Sequence, residues 1–291
     1  MPVQTFSAAD ASLGYAYQVR IALLRALELA RKGSHFDVAV ETLDDVSFST
    51  SGGEPLELLQ LKHSLQAQAG LSDASPALWK TLRIWSTKWQ GSEIQEGVKL
   101  YLITTSVPSS GSAASFLKCS SRNCAEARRL LDLAASTSMN VENSAAYAEW
   151  KAMSPSAQSA LLEQIEIIDG APNILAIEDS LLEQIWGFVE AAKRHVFLEY
   201  LEGWWFRRVL RQLADDAPAI STAEIESQLD TLREQFQRDN LPIDEALLAQ
   251  ELDAALIESY GSHVFVCVFR RSRATVPTQA RPSFRCMPGR W

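Results

Sequence analysis

The sequence predicts an α/β domain over residues 1–110, followed by a mostly α-helical domain over residues 111–260. Up to Thr105, segments with helical spacing alternate with strand-type segments, whereas almost only helical spacing follows. Between the two patterns, residues 106–115 are rich in Ser, Gly and Pro, a composition typical of a loop. These observations place the domain boundary near residue 110.

The first domain is predicted to run helix, strand, hairpin, helix, strand. Residues 13–32 place apolar side chains three and four positions apart and predict a helix. Residues 38–41 alternate as a strand does, and residues 44–63 contain two strand-type runs around a glycine turn. A proline near the first position predicts a helix over residues 76–89. β-branched and aromatic residues predict a buried strand over residues 98–105.

The second domain is predicted from helical spacing, with one short strand at residues 165–168. The predicted helices cover residues 125–133, 145–153, 157–164, 181–213 and 223–239. Residues 261–291 contain six arginines, three prolines and no acid, so we expect an irregular basic tail there. Both a nucleic-acid-binding tail and sequence foreign to the domain, as a truncation or frameshift would leave, fit this composition.

Charge is distributed unevenly along the 291 residues, whose formal net charge is −9. Residues 107–260 hold 12 basic and 25 acidic side chains, whereas residues 1–106 hold 9 and 11. An acidic middle excludes a general phosphate-binding surface in that region. Contact with a nucleic acid would therefore fall to a local patch in the N-terminal third.

Several protein classes are excluded by missing patterns. No stretch of about 18 apolar residues occurs and the N-terminus begins no charged-then-apolar leader, so we expect a cytoplasmic protein without a membrane segment. The four cysteines and four histidines lack the paired spacing of a zinc site. Without GxGxxG, GxxxxGK[ST] or GxSxG motifs, nucleotide-fold, P-loop and hydrolase-elbow enzymes have no support.

The predicted hairpin is the most informative stretch, because its pleat gathers polar side chains on one face. Strand side chains alternate, so Gln60 and Lys62 point to one face and the leucines beside them to the other. With a two-residue turn at Gly52-Gly53, Asp45 falls opposite Gln60 and diagonal to Lys62. A register shifted by one residue would bury an aspartate among leucines.

We therefore prefer Asp45 to Asp44 as the metal-side carboxylate, although a longer, irregular loop would reverse that choice. A carboxylate, an amide oxygen and an ammonium are what a magnesium-dependent phosphodiesterase needs. The oxygens hold a hard cation, and the ammonium is a point charge that faces phosphate.

Four ordered elements within residues 10–106 form a recognisable pattern. They are a helix beginning Gly14-Tyr15-Ala16-Tyr17-Gln18, the acids Glu41 and Asp45, the Gln60-x-Lys62 strand, and the segment from Leu71 to Thr81. This set resembles the restriction-type PD-(D/E)xK nuclease fold. It is most similar to the endonuclease domain of CD-NTase-associated and ABC-three-component antiphage effectors.

The resemblance implies a metal-dependent DNA endonuclease with Asp45, Gln60 and Lys62 as its catalytic residues. It implies Mg²⁺ or Mn²⁺ held by Asp45, Gln60 and Glu41, with Gln18 and Asp44 beside the site. Gln60 stands where the parent nucleases are usually acidic, so it offers an oxygen but no charge. This subgroup often has glutamine there.

The implied substrate is double-stranded DNA, and the helical domain is expected to sense or dock a defence-system partner protein. A homo-oligomer could bring two sites to the two strands, although nothing in the residues demands it. Lys80, Arg83 and Lys88 on the next helix could contact the DNA backbone. A helix face with lysines is usually only solvated, however, so we do not assign these three as ligands.

Two other interpretations remain open at this point. One is a catalytically inactive adaptor that keeps the nuclease-like fold and binds nucleic acid or protein. The other is a helical scaffold in which Asp45, Gln60 and Lys62 are surface residues that lie far apart. Gln18 and Glu41 could equally hydrogen-bond the backbone instead of approaching a metal.

Overall fold

The computed structural model describes residues 8–62 and 70–237. Its strands are β1 Asp37–Val40, β2 Val46–Ser49, β3 Pro55–Lys62, β4 Lys99–Thr104, β5 Ile165–Ile168 and β6 Ile220–Ser221. They form one six-stranded sheet in the order β5-β4-β3-β2-β1-β6. The first three strands are antiparallel, whereas β3, β4 and β5 are parallel. The protein is therefore mixed α/β. The predicted tail at residues 261–291 lies outside the described residues.

Helices cover both faces of this sheet. They are α1 Ala8–Arg31, α2 Pro76–Gln90, α3 Ala113–Phe116, α4 Cys124–Thr137, α5 Ser144–Ala152, α6 Pro155–Gln164, α7 Ile177–Gln184, α8 Arg194–Leu213 and α9 Thr222–Gln235. One apolar core joins the sheet to α1, α7, α8 and α9, and a second joins it to helices α2 to α6. Within the described ranges, no helix is long and apolar enough to cross a membrane.

The hairpin register is the one that the sequence predicts. Val46 pairs with Leu59, which places Asp45 and Gln60 at the next opposed positions. The turn itself differs from the two-residue prediction, because a bulge between Phe48 and Ser49 lengthens it. Gly53 takes a left-handed φ of 86° in this longer turn, a conformation that glycine adopts without a Cβ clash.

The face of β3 that carries Gln60 is buried, which the sequence did not predict. Leu58 joins the core under α2, whereas Leu59 and Leu61 join the core under α1. Gln60 itself is only 4% exposed. A central strand with helices on both sides has no solvated face, so the polar residues of β3 must find partners inside the protein.

The long helix predicted over residues 181–213 is wrong, because the structure has two helices there. α7 ends at Gln184 and α8 begins at Arg194. Gly187 lies in the break, and glycine is the weakest helix former after proline. The break also lets Ile185 and Phe197 bury themselves in the same core.

Two strands from beyond residue 110 complete the sheet. β5 pairs in parallel with β4, and β6 pairs antiparallel with β1. Thr222 secures β6, since its Oγ1 accepts from Phe36 N–H and donates to Phe36 O, both at 2.8 Å. The sheet thus includes segments from both sides of the predicted boundary near residue 110, and that boundary stays a prediction.

Candidate active site

Three of the predicted site acids lie on one short turn between β1 and β2. The Glu41 N–H donates to the Asp45 carbonyl at 3.0 Å and closes the turn. Glu41 adopts a left-handed φ of 55°, which costs about 1–3 kcal/mol for a residue with a Cβ. The turn thereby holds Glu41, Asp44 and Asp45 together beside β3.

Asp45 binds β3 where the pairing of β2 with β3 ends. Beyond the Val46–Leu59 pair, its side chain replaces the backbone as hydrogen-bond acceptor. Oδ2 accepts from the Leu61 N–H at 2.7 Å, and Oδ1 accepts from Gln60 Nε2 at 2.9 Å. The carboxylate is therefore fixed next to Gln60, as the register predicts.

Asp44 also contacts Gln60, so the structure brings both aspartates to the same amide. Asp44 Oδ1 accepts from Gln60 Nε2. Its Oδ2 accepts from the indole Nε1 of Trp85, on α2, at 2.8 Å. Asp44 is buried and Trp85 is fully buried. Asp44 thus connects the turn to α2.

Trp85→Phe should lower the free energy of unfolding by about 1–3 kcal/mol, because a buried acceptor loses its donor. Urea denaturation of the variant measures this change. Trp89→Phe is the matched control on the same helix, since the Trp89 indole makes no hydrogen bond to any described residue. Equal losses in the two variants would show that the Trp85–Asp44 bond does not stabilise the fold.

Lys62 completes the contact chain from the other side of Gln60. Its Nζ donates to Gln60 Oε1 at 3.0 Å, so the amide nitrogen faces the aspartates and the amide oxygen faces the ammonium. Asp45, Gln60 and Lys62 therefore lie together, whereas the scaffold interpretation expected them to lie far apart.

Burial shifts the pKa of several groups in this cluster. It raises the pKa of Asp44 and of Glu41, and for Glu41 the neighbouring aspartates add to the increase. It lowers the pKa of Lys62, where Asp45 opposes the shift and Lys80 adds to it. These three groups are therefore closer to changing protonation near neutral pH than exposed groups of their types, as is common at functional sites.

Gln18 extends the cluster to α1. Its side chain lies close enough to Glu41 to oppose the rise in the pKa of that carboxyl, and its Oε1 is buried with no partner among the described residues. The Tyr15 hydroxyl is likewise buried without a partner there. Burial, followed by the charge of Glu41, raises the pKa of Tyr15. Two polar atoms beside Glu41 are thus available to a bound group.

A cavity of about 340 Å³ adjoins these residues. Gln18 and Lys62 line it, together with Thr104 at the carboxyl end of β4 and Ser75 at the start of α2. Ligands of α/β proteins commonly bind beyond the carboxyl ends of parallel strands. The volume is in the range of small-ligand pockets.

The oxygen donors present fit a hard divalent cation such as Mg²⁺. Across residues 8–62 and 70–237, no three His, Cys, Asp or Glu side chains are arranged to hold a metal ion by themselves. An ion would therefore need an amide oxygen in addition to Asp44 and Asp45. Gln60 can supply one only if its amide turns, because its nitrogen faces the two aspartates.

Sequence reasoning placed Asp45, Gln60, Lys62, Glu41 and Gln18 at the site, and the structure gathers them. It missed Trp85 and Tyr15 as residues that contact or adjoin the cluster. Trp85 belongs to the apolar stripe of α2, but an indole N–H usually has an acceptor when it is buried. The need of a buried indole N–H for an acceptor is the signal that could have identified Trp85.

Comparison with known proteins gives only weak similarity. No protein-family model matches the chain, and no curated protein matches it. A structure of the Acinetobacter baumannii Cap4 SAVED/CARF-domain containing receptor with the cyclic trinucleotide 2'3'3'-cAAA is 15% identical, with a TM-score of 0.41. The match covers 76% of this chain and 45% of that one.

A second structure of the same receptor is 14% identical, with a TM-score of 0.43, over 90% of this chain and 57% of that one. The chain thus spans about half the length of these structures. Similarity at this level does not assign the chain to their family.

Proposed function

We propose that this protein is a Mg²⁺- or Mn²⁺-dependent endonuclease that hydrolyses phosphodiester bonds in double-stranded DNA. The observation that supports the proposal is the contact chain from Asp45 through Gln60 to Lys62, with distances of 2.9 and 3.0 Å. It combines cation-binding oxygens with one ammonium at the wall of a cavity.

Each residue has a defined task in this proposal. Asp44, Asp45 and, once its amide has turned, the Gln60 oxygen would hold the ion, and Glu41 would add negative charge beside it. When bound, the ion supplies Lewis acidity, which lowers the pKa of water and neutralises phosphate charge. Lys62 faces the cavity and stabilises the charge that develops on the phosphate oxygens.

A second candidate is the inactive adaptor with a nuclease-like fold. The absence of a three-ligand His, Cys, Asp or Glu cluster from the described residues favours it, because a site with two carboxylates and an amide binds a divalent cation less tightly than one with three carboxylates. In this case DNA or protein binding would persist without cleavage.

We place the protein in antiphage defence because residues 10–106 resemble the nuclease domains of antiphage effectors. On that resemblance, the residues beyond 110 sense or dock a partner protein of the defence system. The cytoplasm, where phage DNA is exposed, is the compartment that this role requires.

Asp45→Asn should reduce Mg²⁺-dependent cleavage of plasmid DNA by at least about 100-fold, a loss of the size seen when one stabilising group is removed from an active site. Agarose gels of plasmid incubated with Mg²⁺ or with EDTA measure the effect. Asp37→Asn, at the opposite end of β1, is the matched control and should cleave like the wild type.

The outcomes separate the two candidates. Cleavage that is undiminished in a folded Asp45→Asn variant would contradict the assigned site. A wild-type protein that binds DNA but leaves plasmid intact with either metal would identify the adaptor instead.

A further inference from the structure

Helix α2 carries an unusual charge distribution for this protein. Its 15 residues include Lys80, Arg83 and Lys88 and no acid, although acids outnumber bases in the whole chain by 36 to 27. Lys80 and Arg83 are exposed and Lys88 is half-buried. At about 100° per residue, the three lie within an arc of about 140° on one side of the helix. We call these three residues the basic row.

The side chains of the basic row have no ion-pair or hydrogen-bond partner within residues 8–62 and 70–237. Several other cations of the described chain are matched, as Arg25 is with Glu57 and Arg208 is with Glu224, and on α2 all three cations lack such a partner. The positive charge of the row therefore remains available to an external anion.

The basic row is also fixed next to the candidate active site. Trp85, on the same helix, donates to Asp44 at 2.8 Å and sets the position of α2 over the site. The charges of the row act on the site from both ends. Burial lowers the pKa of Lys62 and Lys80 adds to that shift, whereas Lys88 opposes the rise that burial causes in the pKa of Asp44.

We infer that the basic row binds the phosphate backbone of duplex DNA and leads one strand to Lys62. This inference rests on the proposed function, since it names the surface that presents the substrate to that site. Lys80 and Lys88 are eight residues apart, about 12 Å along the helix, which spans three to four base-pair steps. The same helix begins at the cavity, which Ser75 and Ala77 line together with Lys62.

The positive charge of the basic row is what selects DNA as its partner. A polyanion is the ligand that three unmatched cations on one helix face fit, and the acidic stretch over residues 107–260 repels it there. The local basic patch that the charge distribution requires in the N-terminal third is therefore on α2. Phosphate contacts of this kind position DNA without reading its sequence.

The test is the salt dependence of binding to a 30-base-pair duplex, measured by fluorescence anisotropy in EDTA so that no cleavage occurs. We compare the wild type with Lys80→Gln/Arg83→Gln/Lys88→Gln. Three lost phosphate contacts should reduce the slope of log K against log salt by about 2.7. The affinity advantage of the wild type should therefore shrink about 40-fold between 50 and 200 mM salt.

The matched control is Lys32→Gln/Arg207→Gln/Arg233→Gln, which removes the same charge from exposed residues that make no side-chain ion pair or hydrogen bond within the described chain. Its slope should equal that of the wild type. If the first triple variant does not fold, Lys80→Gln/Arg83→Gln alters only exposed side chains and should reduce the slope by about 1.8.

Three results would overturn the inference: equal slopes for the row variant and the control, no binding by the wild type, or tighter binding of single-stranded DNA or RNA than of duplex. None of these decides whether the protein cleaves DNA, which the Asp45→Asn experiment measures. Conversely, a protein that binds through the row but never cleaves would leave the inference standing and contradict only the proposed activity.

Discussion

Lys62→Ala is expected to lower Mg²⁺-dependent DNA cleavage by at least about 100-fold while the protein stays folded. Lys62 is the one cation in the contact chain with Asp45 and Gln60, and it lines the cavity. Neutral side chains cannot replace a charge aimed at phosphate. Plasmid cleavage and circular dichroism of the same preparation measure activity and folding together.

The fold should tolerate this change because burial lowers the pKa of Lys62. In the unfolded chain the lysine keeps its ordinary, higher pKa, so folding disfavours the charged form. Above the pKa of the unfolded chain Lys62 is neutral in both states and costs no stability. As the pH falls from there through the folded pKa, the unfolded chain binds the proton more readily, so the free energy of unfolding is already reduced at neutral pH. Lys62→Met keeps the aliphatic stem and removes this penalty, but it also leaves the buried Gln60 Oε1 without its donor. Its free energy of unfolding in urea at pH 7 should therefore stay within about 1–3 kcal/mol of the wild-type value.

Lys99→Ala is the control for this experiment. Lys99 begins β4 and is exposed, at the end of the strand opposite Thr104, which borders the cavity. This variant should cleave DNA at the wild-type rate. Undiminished cleavage by folded Lys62→Ala would refute the role assigned to Lys62.

Gln60→Glu is expected to destabilise the metal-free protein by about 2–4 kcal/mol and to increase its response to Mg²⁺. Gln60 Nε2 donates to both Asp44 and Asp45. A glutamate there removes both hydrogen bonds and gathers three carboxylates, which repel one another. A divalent cation bound by the three carboxylates would relieve their repulsion. Mg²⁺ should therefore raise the apparent stability of the variant more than that of the wild type.

Thermal melting in EDTA and in excess Mg²⁺ tests this prediction without an activity measurement. The variant should melt below the wild type in EDTA and show the larger upward shift in Mg²⁺. Gln60→Ala is the control, since it loses the same donors but adds no charge, and it should shift less than Gln60→Glu. Equal shifts of the melting temperature in all three proteins would show that Mg²⁺ binds at another site or does not bind to the protein.

The hairpin shows how much of the site the sequence determines. Leu59 and Leu61 must face one core, so only one register keeps Gln60 away from them, and the structure has that register. The same register favoured Asp45 over Asp44 as the metal-side carboxylate, yet the structure does not separate the two. Both lie on a turn, where the period of two does not apply, and both contact Gln60.

Contacts between distant segments could not be predicted from the sequence, for a different reason. Trp85 reaches Asp44 across 41 positions of sequence, and periodicity describes only neighbours within one element. β6 has just two residues, Ile220 and Ser221, too few to show any period. Its pairing with β1 depends on how α8 and α9 pack, which local spacing does not report.

The number of residues in the closed turn fixes where Glu41, Asp44 and Asp45 lie relative to β3. One hydrogen bond, from Glu41 to the carbonyl of Asp45, sets that number. Inserting or deleting a single amino acid between them would displace every acid at once, whereas point changes affect one at a time. Relatives of this chain that keep the chemistry should therefore vary freely in loop size around the sheet, yet retain the same count of residues here.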